Sequence, residues 1–336
     1  MKNTTKIMRQ KTEYEKAQTR RQLELLQHSD LFEHAPTDGL CLVKDEDTKQ
    51  MVWRTSKKII VHHESVKNLY KPIREQVLNY FEWNDIAWWN EYTERYFPTG
   101  NTLSSQIHCL NHLFALQGDK DAVLALVQAI LPDITDILPS PIDVNDPKIC
   151  QTIHLPYPSY ITFEFTCNNK EYLKETCNKR GARCTSVDAL IYAKDDKGQF
   201  VLVPIEWKYT EHYSFEDKYR ADEKKVETRY LPLTEHENTR IPIWHEDFYY
   251  DPYYELARQS LLMEQIIRKK PFDADRYEHI VVCPEDNIEM WTTAENFMGS
   301  IKGENEHFFI IDPQDLLEPI QGYDALKDYL NTRYWQ

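Results

Sequence analysis

The sequence predicts an α/β chain in which a central sheet is flanked by helices, preceded by a mainly helical N-terminal region. Three observations carry that expectation. Two apolar runs, 185–193 and 199–209, are joined by the polar Lys194-Asp195-Asp196-Lys197-Gly198, as in paired strands across a turn. Helical periodicity recurs on either side of them, at 102–117 and 253–268. The chain has 336 residues, 41% of them hydrophobic, enough for a substantial core in one large or two modest domains.

Taken in order, residues 12–29 read as a helix of moderate amphipathicity, with Tyr14, Leu23, Leu25 and Leu26 and few breakers. Residues 40–43 and 51–53 read as a short hairpin over Asp45–Lys49. From Lys67 to Tyr96 the pattern is helical and dense in aromatics: Tyr80, Phe81, Trp83, Trp88, Trp89, Tyr92 and Tyr96. Interleaved aromatics can stack on bases. At helical spacing they more often build a core, which is the expectation here. Pro98-Thr99-Gly100 breaks the pattern and divides the chain into a helical region, 1–100, and a second unit, 101–336.

Thr102 is placed to cap the next helix, and Gly118 to stop it. Residues 121–130 form a further helix, ended before Pro132, and 134–158, with five Pro, read as a long loop. A strand over 160–167 and a charged connector over 168–183 lead to the two central runs. A loop containing Pro232 and Pro242 then precedes the helix at 253–268, whose apolar positions are Leu256, Leu261, Leu262, Ile266 and Ile267. Strands over 276–283 and 308–311 and a helix over 323–334 complete the chain.

Charged residues stand at the ends of the two central runs. Asp188 opens the first, and Glu206-Trp207-Lys208 closes the second. Pairing across the turn brings these ends together, and period-2 geometry puts Glu206 and Lys208 on one face. Glu216-Asp217-Lys218 and Glu223-Lys224-Lys225 repeat the Glu-x-Lys spacing, but in charged surroundings where a solvated face is the plain reading. A structural ion pair is the bland alternative for Glu206 and Lys208. The chemical one is a hard divalent cation held beside an activated water. His108 and His112 have metal-compatible spacing but no acid at the position a metalloprotease requires, so they read as packing histidines.

These residues resemble the signature of the PD-(D/E)XK nuclease superfamily, an Asp opening one strand and a Glu-x-Lys on the next. Val187 stands where that motif's Pro would be. The chain is also similar to a bacterial restriction-endonuclease branch. The likeness lies in Ser104-Ser105-Gln106-Ile107-His108-Cys109-Leu110-Asn111, Phe163-Glu164-Phe165 and Glu206-Trp207-Lys208-Tyr209-Thr210-Glu211, and runs from about Gln106 to Cys283. The resemblance implies a restriction-endonuclease-like core with a central mixed sheet. It implies Mg²⁺, with Mn²⁺ as substitute, on Asp188, Glu206 and the Trp207 carbonyl. Lys208 would orient or deprotonate the attacking water, and Glu164 would act as a supporting acid. Gln259, Arg258 and Gln106 are further candidates near the metal or the phosphate. The implied activity is phosphodiester hydrolysis, as a DNA endonuclease of restriction or bacterial-defence type. Two other readings remain: an inactive nuclease fold that binds nucleic acid or serves as a scaffold, and a carboxylate-pair hydrolase acting on carbohydrate, in which Lys208 has no job.

Composition sets the remaining expectations. No stretch approaches ~20 consecutive apolar residues, so no membrane span is expected. Seven scattered Cys and a charged start without an apolar centre point to reduced thiols and a cytoplasmic address. A net charge of −15 opposes binding to phosphates. Two basic stretches, Lys2–Arg21 and Lys57–Arg74, are therefore expected to form a track, or a protein partner to supplement the affinity; a homodimer is left open.

Overall fold

The structure is a computed structural model that describes residues 12–45, 48, 50–89, 97–167, 171–175, 180, 184–211, 217–236, 239–241, 246–301 and 307–335. Helix α1 (Glu13–His28) is capped by the Thr12 hydroxyl, which accepts from the Glu15 N–H. Strands β1 (Gly39–Lys44) and β2 (Met51–Ser56) form the expected antiparallel hairpin. Two 3₁₀ turns, His62–Asn68 and Lys71–Ile73, lead into α2 (Arg74–Trp83).

The helical pattern expected to run to Tyr96 stops at Trp83. The Asn84 side chain donates to the Tyr80 carbonyl, and Asp85 turns to a left-handed φ of 48°. Tyr80, Phe81 and Trp88 enter the core as expected, while Trp83 and Trp89 are exposed; Tyr92 and Tyr96 fall outside the described residues. Gly100 makes a close approach that no other residue type allows, since a Cβ there would lie 2.1 Å from the Ile60 carbonyl oxygen.

Ser104, not Thr102, caps α3 (Ser105–Leu113): its hydroxyl accepts from the Ile107 N–H, whereas that of Thr102 donates to the Lys58 carbonyl. Helix α4 (Lys120–Gln128) is capped by Asp119. The expected loop over 134–158 contains β3 (Ile134–Leu138) and α5 (Pro147–Thr152). Its prolines mislead because Pro147 sits in the first helical turn, where an N–H has no intrahelical partner to lose, and Asp146 caps the helix.

Strands β4 (Ile161–Phe165), β5 (Val187–Asp195) and β6 (Phe200–Trp207) follow. The segment read as a loop before the long helix is helical at Lys218–Ala221, Glu223–Lys225, Val226–Tyr230 and Leu231–Thr234. Asp217 and Asp222 start the first two turns, and Pro232 again lies in a first turn. Pro242 lies outside the described residues. Helix α6 (Tyr253–Lys269) precedes β7 (Arg276–Tyr277) and β8 (His279–Val282). Helix α7 (Ile288–Ser300) was not anticipated, although Met290, Ala294 and Phe297 recur at helical spacing and are buried. Strand β9 (Phe308–Ile311) and α8 (Asp324–Leu330), extended by a π turn over Asn331–Trp335, close the chain.

Seven strands form one mixed sheet with the path β3-β5-β6-β8-β9; β4 also pairs with β5, and β7 with β6. The β3, β4 and β6 pairings with β5 are antiparallel, and those of β6 with β7 and β8, and β8 with β9, are parallel. This is a restriction-endonuclease-like core. Pro204, which cannot donate to a ladder, sits where β6 changes partner from β7 to β8.

Alternation along the strands sends Ile191, Val203, Ile205, Trp207 and Ile280 into one apolar layer with α2, α3, α4 and α8. Leu190, Leu202 and Val281 enter the opposite layer with α6 and α7. Leu69, Val77, Tyr80 and Trp88 share the first layer with Ile107, Leu110 and Phe114, so the packing crosses residue 100.

The first layer is closed by Arg333, which is fully buried. Its guanidinium donates to the Asn68 carbonyl (2.6 Å), the Asn68 side-chain oxygen and the Tyr329 hydroxyl (2.7 Å), and lies over the Phe32 ring. Its own carbonyl accepts from Arg21 and Gln22 of α1. Arg333→Met strands these acceptors in an apolar interior, and is expected to lower stability by about 3 kcal/mol. A urea midpoint equal to that of the unaltered protein would contradict this role.

Candidate active site

Stepping the β5–β6 register one position beyond the Ala189–Ile205 pair brings Asp188 opposite Glu206. Even-numbered residues at this end face α6, and odd-numbered ones face α3. Glu206 and Lys208 therefore reach α6, while the Trp207 side chain turns into the layer behind.

Each predicted group has a definite partner. Asp188 Oδ2 accepts from the Trp207 backbone N–H at 2.6 Å. Lys208 Nζ lies 2.5 Å from Glu206 Oε1 and 2.6 Å from Glu255 Oε2. Gln259 donates its side-chain amide to Glu206 Oε2 and to the Ser186 carbonyl. Gln106 donates to Glu164 Oε1 at 2.6 Å, and its own oxygen accepts from the Trp89 backbone N–H. The Trp89 indole N–H reaches the same Glu164 oxygen at 3.1 Å. Arg258 bonds to Thr185 and Glu175, against the ring of Tyr254.

Asp188, Glu206, Trp207, Lys208, Gln106 and Arg258 line one cavity of about 540 Å³, which also receives Trp89, Lys218, Lys225 and Glu255. Glu164 is set behind it. Glu164 lines a tight crevice with Cys109, Phe163 and Asp188, and adopts a left-handed φ of 50° in the middle of β4. That conformation is strained for a side chain with a Cβ, and it coincides with the turning of this carboxylate toward Gln106 and Trp89.

Burial raises the pKa of all three acids. Asp188 lies well above the usual carboxylate range through desolvation and then through the Glu164 carboxylate, against the pull of Lys208. Glu206 is likewise raised well above it, by desolvation and then by Asp188. Glu164 is pushed up to about 7 by burial, although Gln106 and Trp89 favour its ionised form.

Behind the strand, the Trp207 indole N–H donates to His108 Nδ1, so His108 is neutral with its proton on Nε2. His112 Nδ1 donates to the His108 carbonyl, and its Nε2 accepts from the Trp335 indole. Burial lowers the pKa of both rings, that of His112 to about 3. They are packing histidines, as the sequence suggested.

A hard divalent cation fits the donor set. The half-buried Asp188 and buried Glu206 carboxylates are adjacent and repel when ionised, a repulsion that positive charge relieves. Gln259 Oε1 is buried beside them without a hydrogen-bond partner. Among the described residues no group of three or more His, Cys, Asp or Glu side chains forms a preformed metal cluster. Such a cation would meet two carboxylates here and would need further ligands from backbone oxygen and solvent.

Sequence reasoning missed Glu255 and Trp89. Glu255 stands one helical turn before Gln259, so the i, i+4 spacing was the available signal. Trp89 was assigned to the core with its aromatic neighbours, and nothing in its spacing separates it from them. The expected Lys57–Arg74 patch is largely neutralised: Lys67 pairs with Glu64, and Lys71 and Arg74 both pair with Glu33. Of the N-terminal basic stretch, Lys2 to Lys11 lie outside the described residues. The six described cysteines are free, Cys177 lies outside the described residues, and no described helix is long and apolar enough to cross a membrane.

The profile of a family described as Restriction Endonuclease associating with ARP matches residues 53–335. No curated protein and no solved structure matches the chain.

Since Glu164 binds its proton more tightly when folded, its contribution to stability is complete below about pH 4.5 and is lost as pH rises through about 7. In that window Glu164→Gln should flatten the fall of stability with pH by up to ~1.4 kcal/mol per pH unit. Denaturant titrations at several pH values measure it; parallel curves for the two proteins would refute the assignment.

Proposed function

Because this chain belongs to the family of restriction endonucleases associating with ARP, we propose that it is a divalent-metal-dependent nuclease hydrolysing phosphodiester bonds. Within that class we assign it to DNA endonucleases of restriction or bacterial-defence type, acting in the cytoplasm. One observation carries the reading: the half-buried Asp188 carboxylate and the buried Glu206 carboxylate face each other at an open cavity, with one lysine ammonium bridging to a third acid.

Asp188 and Glu206 would hold Mg²⁺ or Mn²⁺, with the Trp207 carbonyl as a further oxygen ligand. When bound, the ion would supply positive charge to the scissile phosphate and acidify the attacking water. The chain's own groups do the rest. The Trp207 N–H fixes one Asp188 oxygen, and the Gln259 amide fixes one Glu206 oxygen, so both carboxylates are set before substrate arrives. Lys208, held between Glu206 and Glu255, presents its amino group at the cavity floor to water or phosphate. Lys225 and Arg258 on the α6 side are placed to receive flanking phosphates. Glu164 acts one layer back, on Asp188.

The net charge of −15 favours a second reading, an inactive nuclease fold acting as a scaffold. The family description pairs its members with a second component, ARP, and a partner of that kind could supply the missing nucleic-acid affinity.

Purified protein with plasmid, single-stranded DNA and RNA, in Mg²⁺ or Mn²⁺, separates these readings. Asp188→Asn and Lys208→Met are expected to lose on the order of 10²-fold or more in cleavage while remaining folded. Either ion should also raise the melting temperature of the unaltered protein but not that of Asp188→Asn. Neither cleavage nor an ion-dependent shift, with or without the partner, would sink the nuclease reading.

A further inference from the structure

Trp89 is 57% exposed, yet its edges are fixed from behind. Its backbone N–H donates to Gln106 at 2.9 Å and its indole N–H donates to Glu164 at 3.1 Å. Gln106 and Glu164 are themselves buried and bonded to each other. The chain leading to it is equally held: Trp88 stacks on Phe81 with ring centroids 3.8 Å apart, and the Ala87 N–H donates to the Arg180 carbonyl.

The result is a large aromatic side chain anchored by its polar edge and left open to solvent. Trp89 lines the cavity that holds Asp188, Glu206 and Lys208. It also lines a smaller one of about 90 Å³, between Leu40 and Cys41 of β1 and the Pro98–Asn101 turn. Trp89 thus borders both the catalytic cavity and a second recess. The cations Lys218, Lys225 and Arg258 line the same catalytic cavity.

We propose that Trp89 is a stacking platform for an unpaired nucleobase adjoining the phosphate held in the catalytic cavity. The proposal rests on the nuclease reading and adds to it where the neighbouring base goes. Phosphates need the cations and the carboxylate-bound ion. A base needs a π face, and an indole already immobilised offers one without the ordering loss of a free side chain. An unpaired base fits better than a paired one, because a platform inside a cavity cannot reach bases stacked in a duplex.

The test uses the full chain with Ca²⁺ in place of Mg²⁺ and oligonucleotides with phosphorothioate linkages, so that an ion still meets the phosphate while cleavage is suppressed. Fluorescence anisotropy follows a single-stranded oligonucleotide and a set carrying one abasic residue at successive positions. Trp89→Ala is expected to weaken binding on the order of tenfold to a hundredfold. One abasic position should produce a similar loss in the unaltered protein and no further loss in Trp89→Ala. Trp89→Phe keeps a ring but drops the bond to Glu164, and should retain most of the affinity. Losses that add, equal affinities of Trp89→Ala and the unaltered protein, or absence of binding to any oligonucleotide each overturn the proposal. If Trp89→Ala fails to fold, a position-independent abasic series with the unaltered protein overturns it, and one sensitive position supports it. Cleavage with ion in the unaltered protein, measured alongside, shows separately whether the nuclease reading stands.

Discussion

Asp188 and Glu206 come opposite each other on neighbouring strands, Glu206 buried and Asp188 half-buried, and the desolvation of their carboxylates, compounded at Glu206 by the charge of Asp188, governs the site. Isolated acids in such surroundings protonate instead of ionising. What holds this pair available for ionisation is a small set of donors: the Trp207 N–H on Asp188, the Lys208 ammonium and the Gln259 amide on Glu206. Each comes from β6 or α6, so the site depends on how that one strand meets that one helix. Lys208 in turn leans on Glu255, which couples the helix to the strand by charge as well as by packing.

The strand itself is held from behind. Trp207 contributes its backbone to the site and its indole to the opposite layer, where the two neutral histidines pass hydrogen bonds on to Trp335. The segment ending at Trp335 therefore braces the back of β6. Helix α1 closes over them through Arg21 and Gln22 on the Arg333 carbonyl, with Tyr209 donating to Gln18. Sites that must hold like charges together need a rigid surround, because relaxation by an ångström would let the carboxylates part. A buried network with opposite tautomers on adjacent histidines is one way to supply it.

The charge of the molecule sets a different constraint. An acidic surface slows approach to a polyanion, and the Lys67–Arg74 cations are occupied by Glu33 and Glu64. Four described cations line the cavity, Lys208, Lys218, Lys225 and Arg258; Lys208 pairs with Glu206 and Glu255, and Arg258 with Glu175. Of these, Lys218 pairs with Asp251 at 3.1 Å, and burial followed by the neighbouring Arg258 lowers the Lys225 pKa.

The sequence alone determined the sheet's centre and the charged ends of its two central strands, because burial on both faces leaves apolar runs in which any charge stands out. Asp188, Glu206 and Lys208 were legible for that reason, and α1, α3 and α6 because their apolar positions repeat at helical spacing. Proline and charge obscured the rest: β3, α5 and the turns over 218–234 carry residues that local rules assign to loops, yet edge pairing and capping aspartates stabilise them. Only the tertiary structure decided the partners of Lys208, the withdrawal of Glu164 behind the cavity and the exposure of Trp89 beside buried Trp88. Those outcomes turn on a left-handed residue after α2, a strained one in β4, and contacts between residues 47 to 75 positions apart. A linear pattern records which residues are apolar or charged; it does not record which of them meet.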